Sequence, residues 1–194
     1  MARPREFDVD LALDAAMRLF WERGFDGASL VDLADAMGIV RPSLHAAFGS
    51  KEDLYRQSID LYSRQMMAFI SKAIRGKTAA EVGRRYLNGY CDLLTNQQSP
   101  SGCFMIKGLV STGRGAAVAK HESATRLKTY ELLLEQRFLQ AQEDGDLPRD
   151  SDAGMLAQML KTTALGLAVR ADAGATSAVL HRVADSTLRA LFPD

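Results

Sequence analysis

No apolar run in the 194 residues approaches the roughly 18 positions that a membrane span requires. The opening MARPREFDVD is basic and then acidic, without an apolar segment, and is not read as a secretory signal. Cys91 and Cys103 are the only cysteines, too few for a disulfide scaffold or a four-cysteine zinc site. These absences lead to the expectation of a cytoplasmic protein with reduced thiols and no membrane partner. Net charge is also missing: 24 Lys and Arg balance 24 Asp and Glu. No global field therefore draws the chain to nucleic acid, and any such binding must come from local placement of charge. Period-two alternation, β-branched clusters, internal repeats and low-complexity tracts are all lacking. With 47% hydrophobic and 25% charged residues, the composition excludes a disordered chain and fits a folded one.

What is present is helical spacing almost throughout. Ala12, Ala15, Ala16, Leu19 and Phe20 mark one face of a first helix that Asp8 or Asp10 can start and Gly24 can end. Ser29 to Asp32 has capping-box form, and Leu30, Leu33, Ala34 and Met37 continue as a second helix to Gly38. Pro42 suits the first turn of a third helix carrying Leu44, Ala47 and Phe48 inward. Ser50 then caps a long fourth helix to about Arg75, and Thr78 to Glu81 reads as another capping box, opening a fifth to about Leu94. Thr95 to Gly102 is a loop, followed by a short sixth helix from Cys103 to Ser111. Three more helices follow, at about Val118–Glu143, Ser151–Asp172 and Thr176–Leu191. The fold class is all-α with about nine helices. Residues 1–50 are expected to form one domain and residues 51–194 a second.

The end of the first fifty residues carries the chemistry. An amphipathic helix with small Ala34 on its inner face meets the tight turn Gly38-Ile39-Val40-Arg41, and a short helix starts at Pro42-Ser43. This is a helix-turn-helix arrangement, whose second helix can enter a DNA major groove with its N-terminal side chains leading. Arg41, Ser43 and His45 occupy that leading end and are hydrogen-bonding types, whereas Leu44, Ala47 and Phe48 face the core.

The stretch ALDAAMRLFWERGFDGASLVDLADAMGIVRPSLHAAFGSKEDL resembles the TetR family of bacterial transcriptional regulators. Phe20, Gly24, Ser29, Ala34, Gly38, Ser43, Phe48, Lys51, Glu52 and Leu54 carry the match by their order and spacing. The resemblance implies a three-helix DNA-binding domain, a larger helical ligand-binding domain, and a homodimer joined through the last two long helices. It further implies a repressor that binds a palindromic operator and is released by a small-molecule effector, with no cofactor. The family's DNA-facing positions map onto Ser29, Arg41, Pro42, Ser43, His45 and Lys51. The family most often has Tyr where this chain has His45; an imidazole can replace that phosphate-contacting phenol or reach a base edge. From Met1 to Arg56 there are seven Lys or Arg and ten Asp or Glu, a net acidic balance. Basic residues nonetheless sit where phosphates would lie: Arg3 and Arg5 in an N-terminal arm, Arg41 before the reading helix, and Lys51 opening the fourth helix.

Beyond this region the signals are softer. Met66, Phe69, Tyr86, Tyr90, Cys103, Phe104, Tyr130, Phe138 and Met159 suit an adaptable apolar ligand cavity, as do Tyr62, Met67 and Met105, and core packing explains the same residues. Cys103 reads either as a small buried hydrophobe or as a thiol sensor at a helix start. On the eighth helix Leu156, Met159, Leu160, Thr163 and Leu167 form one stripe, and Ala157, Ala164, Ala168 and Ala171 a second. Two usable faces exceed what one core requires, so one is expected to meet a partner, and Ala168 is taken as partner-facing. Enzyme motifs fail. Gly76-Lys77-Thr78 resembles the end of a phosphate loop, but Ser71 stands where its first glycine belongs. Gly108 to Gly113 is followed by Arg114 in place of lysine, and no G-x-S-x-G occurs. His45, His121 and His181 fall on different helices. The competing reading is a helical ligand-binding or interaction protein that has lost DNA binding.

Overall fold

The computed structural model describes residues 7–113 and 115–193. Among them lie nine helices and no strand: α1 (Val9–Gly27), α2 (Leu30–Ala36), α3 (Arg41–Phe48), α4 (Lys51–Ala73), α5 (Ala79–Leu94), α6 (Phe104–Leu109), α7 (Ala116–Glu143), α8 (Ala153–Asp172) and α9 (Ser177–Leu191). No helix among the described residues is long and apolar enough to cross a membrane.

Local chemistry sets most helix starts. The Asp8 carboxylate accepts from the amides of Asp10 and Leu11 and opens α1. Ser29 with Asp32, and Ser50 with Asp53, form complete reciprocal capping boxes at α2 and α4. At α5 the expected box is different. Thr78 accepts from the Glu81 amide, but the Glu81 carboxylate reaches one residue further back, to the Lys77 amide at 2.6 Å. Gly24 does not end the first helix. It breaks it with φ 71° and ψ 175°, and one more turn carries Phe25 and Asp26 before Ala28. That break re-aims the last turn.

α1 lies against α4, α6 and α2, while α7 packs on α8 and α5 on α9. An aromatic chain joins the first of these groups. Phe20 and Phe25 stack, each meets Tyr55 edge-on at 5.2 and 5.3 Å, and Tyr55 meets Phe104 at 5.3 Å. Phe104 then meets Tyr62, which meets Trp21 at 4.9 Å. Each such pair contributes on the order of 0.5–1.5 kcal/mol beyond area burial. The chain ties α1 to α4 and α6, so the first helix rests on the larger half through packed rings.

The eighth helix corrects an expectation. Ala157, Leu160, Ala164, Leu167, Ala168 and Ala171 are all buried within the single chain. The small-residue stripe, Ala168 included, lets α8 approach its own neighbours closely. The exposed side is instead Met155 at 49%, Met159 at 45% and Val169 at 55%.

Candidate DNA interface and ligand cavity

The DNA-facing candidates gather on one surface. α2 ends at Met37, the Ile39 amide bonds to the Ala34 carbonyl at 3.0 Å, and Gly38 at φ 67° turns the chain into α3. Leu44 and Phe48 bury completely or nearly so, holding α3 down by its inner face. Arg41 and Pro42 at its first turn and His45 in the middle are exposed, with Ser43 half-buried beside them. Arg41 opens the helix, where unpaired backbone amides add donors.

His45 anchors its ring to its own turn. Its Nδ1 lies 3.1 Å from the Gly49 carbonyl. A carbonyl can only accept, so Nδ1 donates to it, and Nε2 is left for a partner outside this turn. Ser29 is exposed, but its hydroxyl already bonds to Asp32 at 2.5 Å as part of the cap, so its first task is to fix the start of α2. Those hydrogen bonds hold the Asp32 carboxyl below the usual range, with Arg23 adding a smaller effect. Lys51 is half-buried, its Nζ 4.5 Å from the centre of the Phe25 ring. Partial burial pulls its ammonium pKa down, against the attraction of Asp26, Glu52 and Asp32. Arg3 and Arg5 lie outside the described residues.

The ligand-cavity candidates separate into three groups. Met66 and Tyr90 line a hollow of about 60 Å³, together with Trp21, Tyr62, Gln65, Leu93, Leu94, Ser99 and Gly102. Cys103 is buried directly behind it, its Sγ 3.5 Å from the Tyr62 hydroxyl. The second group is packed core. Phe104 sits between Tyr55 and Tyr62, Phe69 stacks on Tyr86 and Tyr90, Tyr130 bonds to Ser63 at 2.7 Å, and Phe138 meets Phe192. Met159 stands apart. Its helical phase puts it beside the buried Leu160 but outward, in an open groove between α8 and α9 that also holds Thr163, Arg170, Val179 and Val183.

Sequence reading missed Trp21, Gln65, Leu93, Leu94, Ser99 and Gly102 as cavity residues. Trp21 belongs to the helix that supports the DNA reader, and nothing in its local pattern signals a ligand. The 99–102 segment is legible only as a loop. Burial raises the phenol pKa of Tyr62 and Tyr90 well above the ordinary value, with Cys103 adding to the effect, so both hydroxyls are protonated donors at neutral pH. The Trp21 indole Nε1 is buried with no hydrogen-bond partner among the described residues. No charged side chain among the described residues lines the hollow. No group of three or more His, Cys, Asp or Glu suited to a metal occurs among the described residues. A larger hollow of about 470 Å³ lies at the distal ends of α5, α8 and α9, and none of its lining comes from α1–α4.

Comparisons with known proteins bear on the family. Residues 12–57 match the model of bacterial regulatory proteins of the tetR family, and residues 84–187 match that of tetracyclin repressor-like C-terminal domains. The HTH-type transcriptional repressor ComR of Escherichia coli K12 is 32% identical, over 99% of this chain and 92% of that protein. Among solved structures, a cysteine mutant of the TetR family regulator CifR in complex with 26 bp operator DNA is 36% identical. It superposes with a TM-score of 0.92 over 97% of this chain and 99% of that one. A second CifR cysteine mutant, studied with operator DNA and in the apo form, gives 0.94 at 34% identity, over 98% and 100% of the two chains. The paired N- and C-terminal matches, and a relative aligned along almost its whole length, place this chain in the TetR family of bacterial helix-turn-helix transcriptional regulators.

Proposed function

We propose that the protein is a dimeric transcriptional repressor that binds a palindromic operator through α3 and leaves it when a compact, uncharged small molecule occupies the hollow beneath Trp21. The observation that carries the first part is the exposed polar lead of α3 on a buried Leu44–Phe48 base. Residues 1–50 serve as the reading domain and residues 51–194 as the sensing and dimerisation half. Arg41, Pro42, Ser43 and His45 face the groove, while Ser29 and Lys51, with Arg3 and Arg5 in the arm, face phosphates. ComR, a repressor by name, and CifR, captured on operator DNA, support this reading.

Two copies are joined through α8 and α9. Exposed Met155, Met159, Val169 and Val183 on these helices support that pairing, since a monomer has no reason to keep such side chains together in water. A two-fold axis then sets the two reading helices about one helical turn, roughly 34 Å, apart.

The effector reading rests on position and chemistry. The hollow of about 60 Å³ has the volume of about two liquid waters, so it accepts only a compact molecule. Its walls offer protonated phenols and a spare indole N–H but no charge. An ion entering it would lose hydration without compensation, whereas a neutral hydrogen-bond acceptor would gain partners. Trp21 is the chain's single tryptophan, so occupancy should change its fluorescence directly. The test has two stages. DNA selected in vitro with the wild-type chain should converge on an inverted repeat. Against that duplex, neutral amides and ketones should shift Trp21 emission and loosen binding, while carboxylates and amines of the same size should do neither. Selection without convergence would favour the carrier reading, and equal response to charged probes would refute the neutral-effector reading.

A further inference from the structure

The last turn of α1 is held by the larger half of the molecule. The Asp26 carboxylate accepts from two successive backbone amides, Thr112 at 3.0 Å and Gly113 at 2.9 Å, in the loop between α6 and α7. The loop comes this close because it lacks side chains at two points. A Cβ on Gly113 would collide with the Asp26 carboxylate, and one on Gly115 would collide with the Phe25 ring. On the other side, the Phe25 ring seats the Lys51 ammonium. The break at Gly24 is what turns Phe25 and Asp26 toward this junction. So one short turn carries a grip on the sensing half and the seat of a DNA-facing lysine.

We propose that Asp26 is a positioning residue for operator binding, whose clasp on the Thr112–Gly113 amides holds the Phe25 seat and so presents Lys51 to the DNA backbone. This rests on reading Lys51 as a phosphate contact. The direction of the effect follows from the overall arrangement. With the clasp closed, the Phe25 ring stands 4.5 Å from the Lys51 Nζ, so the closed clasp is the form in which the seat is occupied. The clasp also lies at the far end of α6 from the hollow, since Gly102 lines the hollow and Cys103 caps the helix start.

Electrostatics alone makes the opposite prediction, which gives the test its force. Asp26 is a negative charge near the DNA-facing surface. If charge were its only role, deleting it would strengthen DNA binding. The experiment measures anisotropy of a labelled duplex, selected in vitro by the wild-type chain, at several salt concentrations. Asp26→Ala should weaken binding on the order of tenfold, a usual size for coupling between sites. It should also lower the salt slope by about one, as Lys51→Ala does. Asp26→Asn keeps an oxygen acceptor for both amides and should stay within about threefold of wild type, despite the same loss of charge. Adding Asp26→Ala to Lys51→Ala should cost nothing further. Gly113→Ala, which opens the clasp from the loop side, should reproduce Asp26→Ala and decides the matter should Asp26→Ala not fold. Binding by folded Asp26→Ala equal to or tighter than wild type overturns the proposal, as does an Asp26→Asn as weak as Asp26→Ala. A Lys51→Ala protein with wild-type affinity and slope removes the phosphate reading instead, and with it the route through Lys51.

Discussion

At the scale of single residues, His45 and Lys51 occupy the same surface and should behave differently. His45 donates from Nδ1 to its own C-terminal turn and leaves Nε2 for a partner outside it. In the major groove that nitrogen meets base edges, whose donor and acceptor pattern differs between base pairs. His45→Ala should therefore relax preference at one base pair per half-site, by about 1–3 kcal/mol, and leave the other positions alone. Lys51→Ala should weaken all duplexes alike, because phosphate contacts carry no sequence information. Comparing selected sequence profiles for the two variants checks both outcomes. A His45→Ala profile identical to wild type, with uniformly lower affinity, would make the imidazole a backbone contact.

At the scale of elements, the helix starts around the reader share one device, a Ser with an Asp three residues on. Ser50→Ala should cost about 1 kcal/mol of stability, measured by denaturant unfolding, without changing the groove-facing side chains. The same caps give the domain an acid limit. The hydrogen bonds of Ser29 and Ser50 hold the carboxyls of Asp32 and Asp53 below their ordinary value. A carboxyl with a lowered folded pKa stabilises fully above its unfolded value, near 3.9, and loses that contribution as pH falls through the folded one. Melting temperature should thus hold between pH 7 and 5 on this account and fall below about pH 4. Ser50→Ala should show a smaller acid decrement than wild type.

At the scale of the whole molecule, the two sides of α8 separate folding from assembly. Ala168 is buried inside its own chain, so Ala168→Asp should unfold or severely destabilise the protein, on the order of 3 kcal/mol or more. Met159→Glu and Val183→Glu lie on the outer side and should give folded monomers by light scattering at micromolar concentration. Those monomers should lose most operator affinity, since each retains one reading helix of two. A Met159→Glu, Val183→Glu double variant that stays dimeric would move the interface elsewhere.

The amino-acid sequence by itself determined the helices, their caps and the DNA reader. These depend on contacts within three or four residues: Ser29 with Asp32, Ser50 with Asp53, and the Gly38 turn between a helix packed through Ala34 and one packed through Leu44. The chain order of such local contacts was enough to place Arg41, Ser43 and His45 on one exposed face. What tertiary structure decided is what lies across from what. Helical period showed two stripes on α8 but not how its own core would use them; all four alanines went inward together with Leu160 and Leu167, leaving Met159 outside. Twelve aromatic, Met and Cys positions were plausible cavity walls, and packing kept Tyr62, Met66 and Tyr90 at the hollow, while Phe69, Phe104 and Phe138 found ring partners instead. Nothing in the local sequence marks Trp21 as a wall of the hollow or Asp26 as a clasp. Their partners, the α4–α5 wall and the amides of Thr112 and Gly113, are more than thirty residues away in sequence, and only the folded chain brings them within reach.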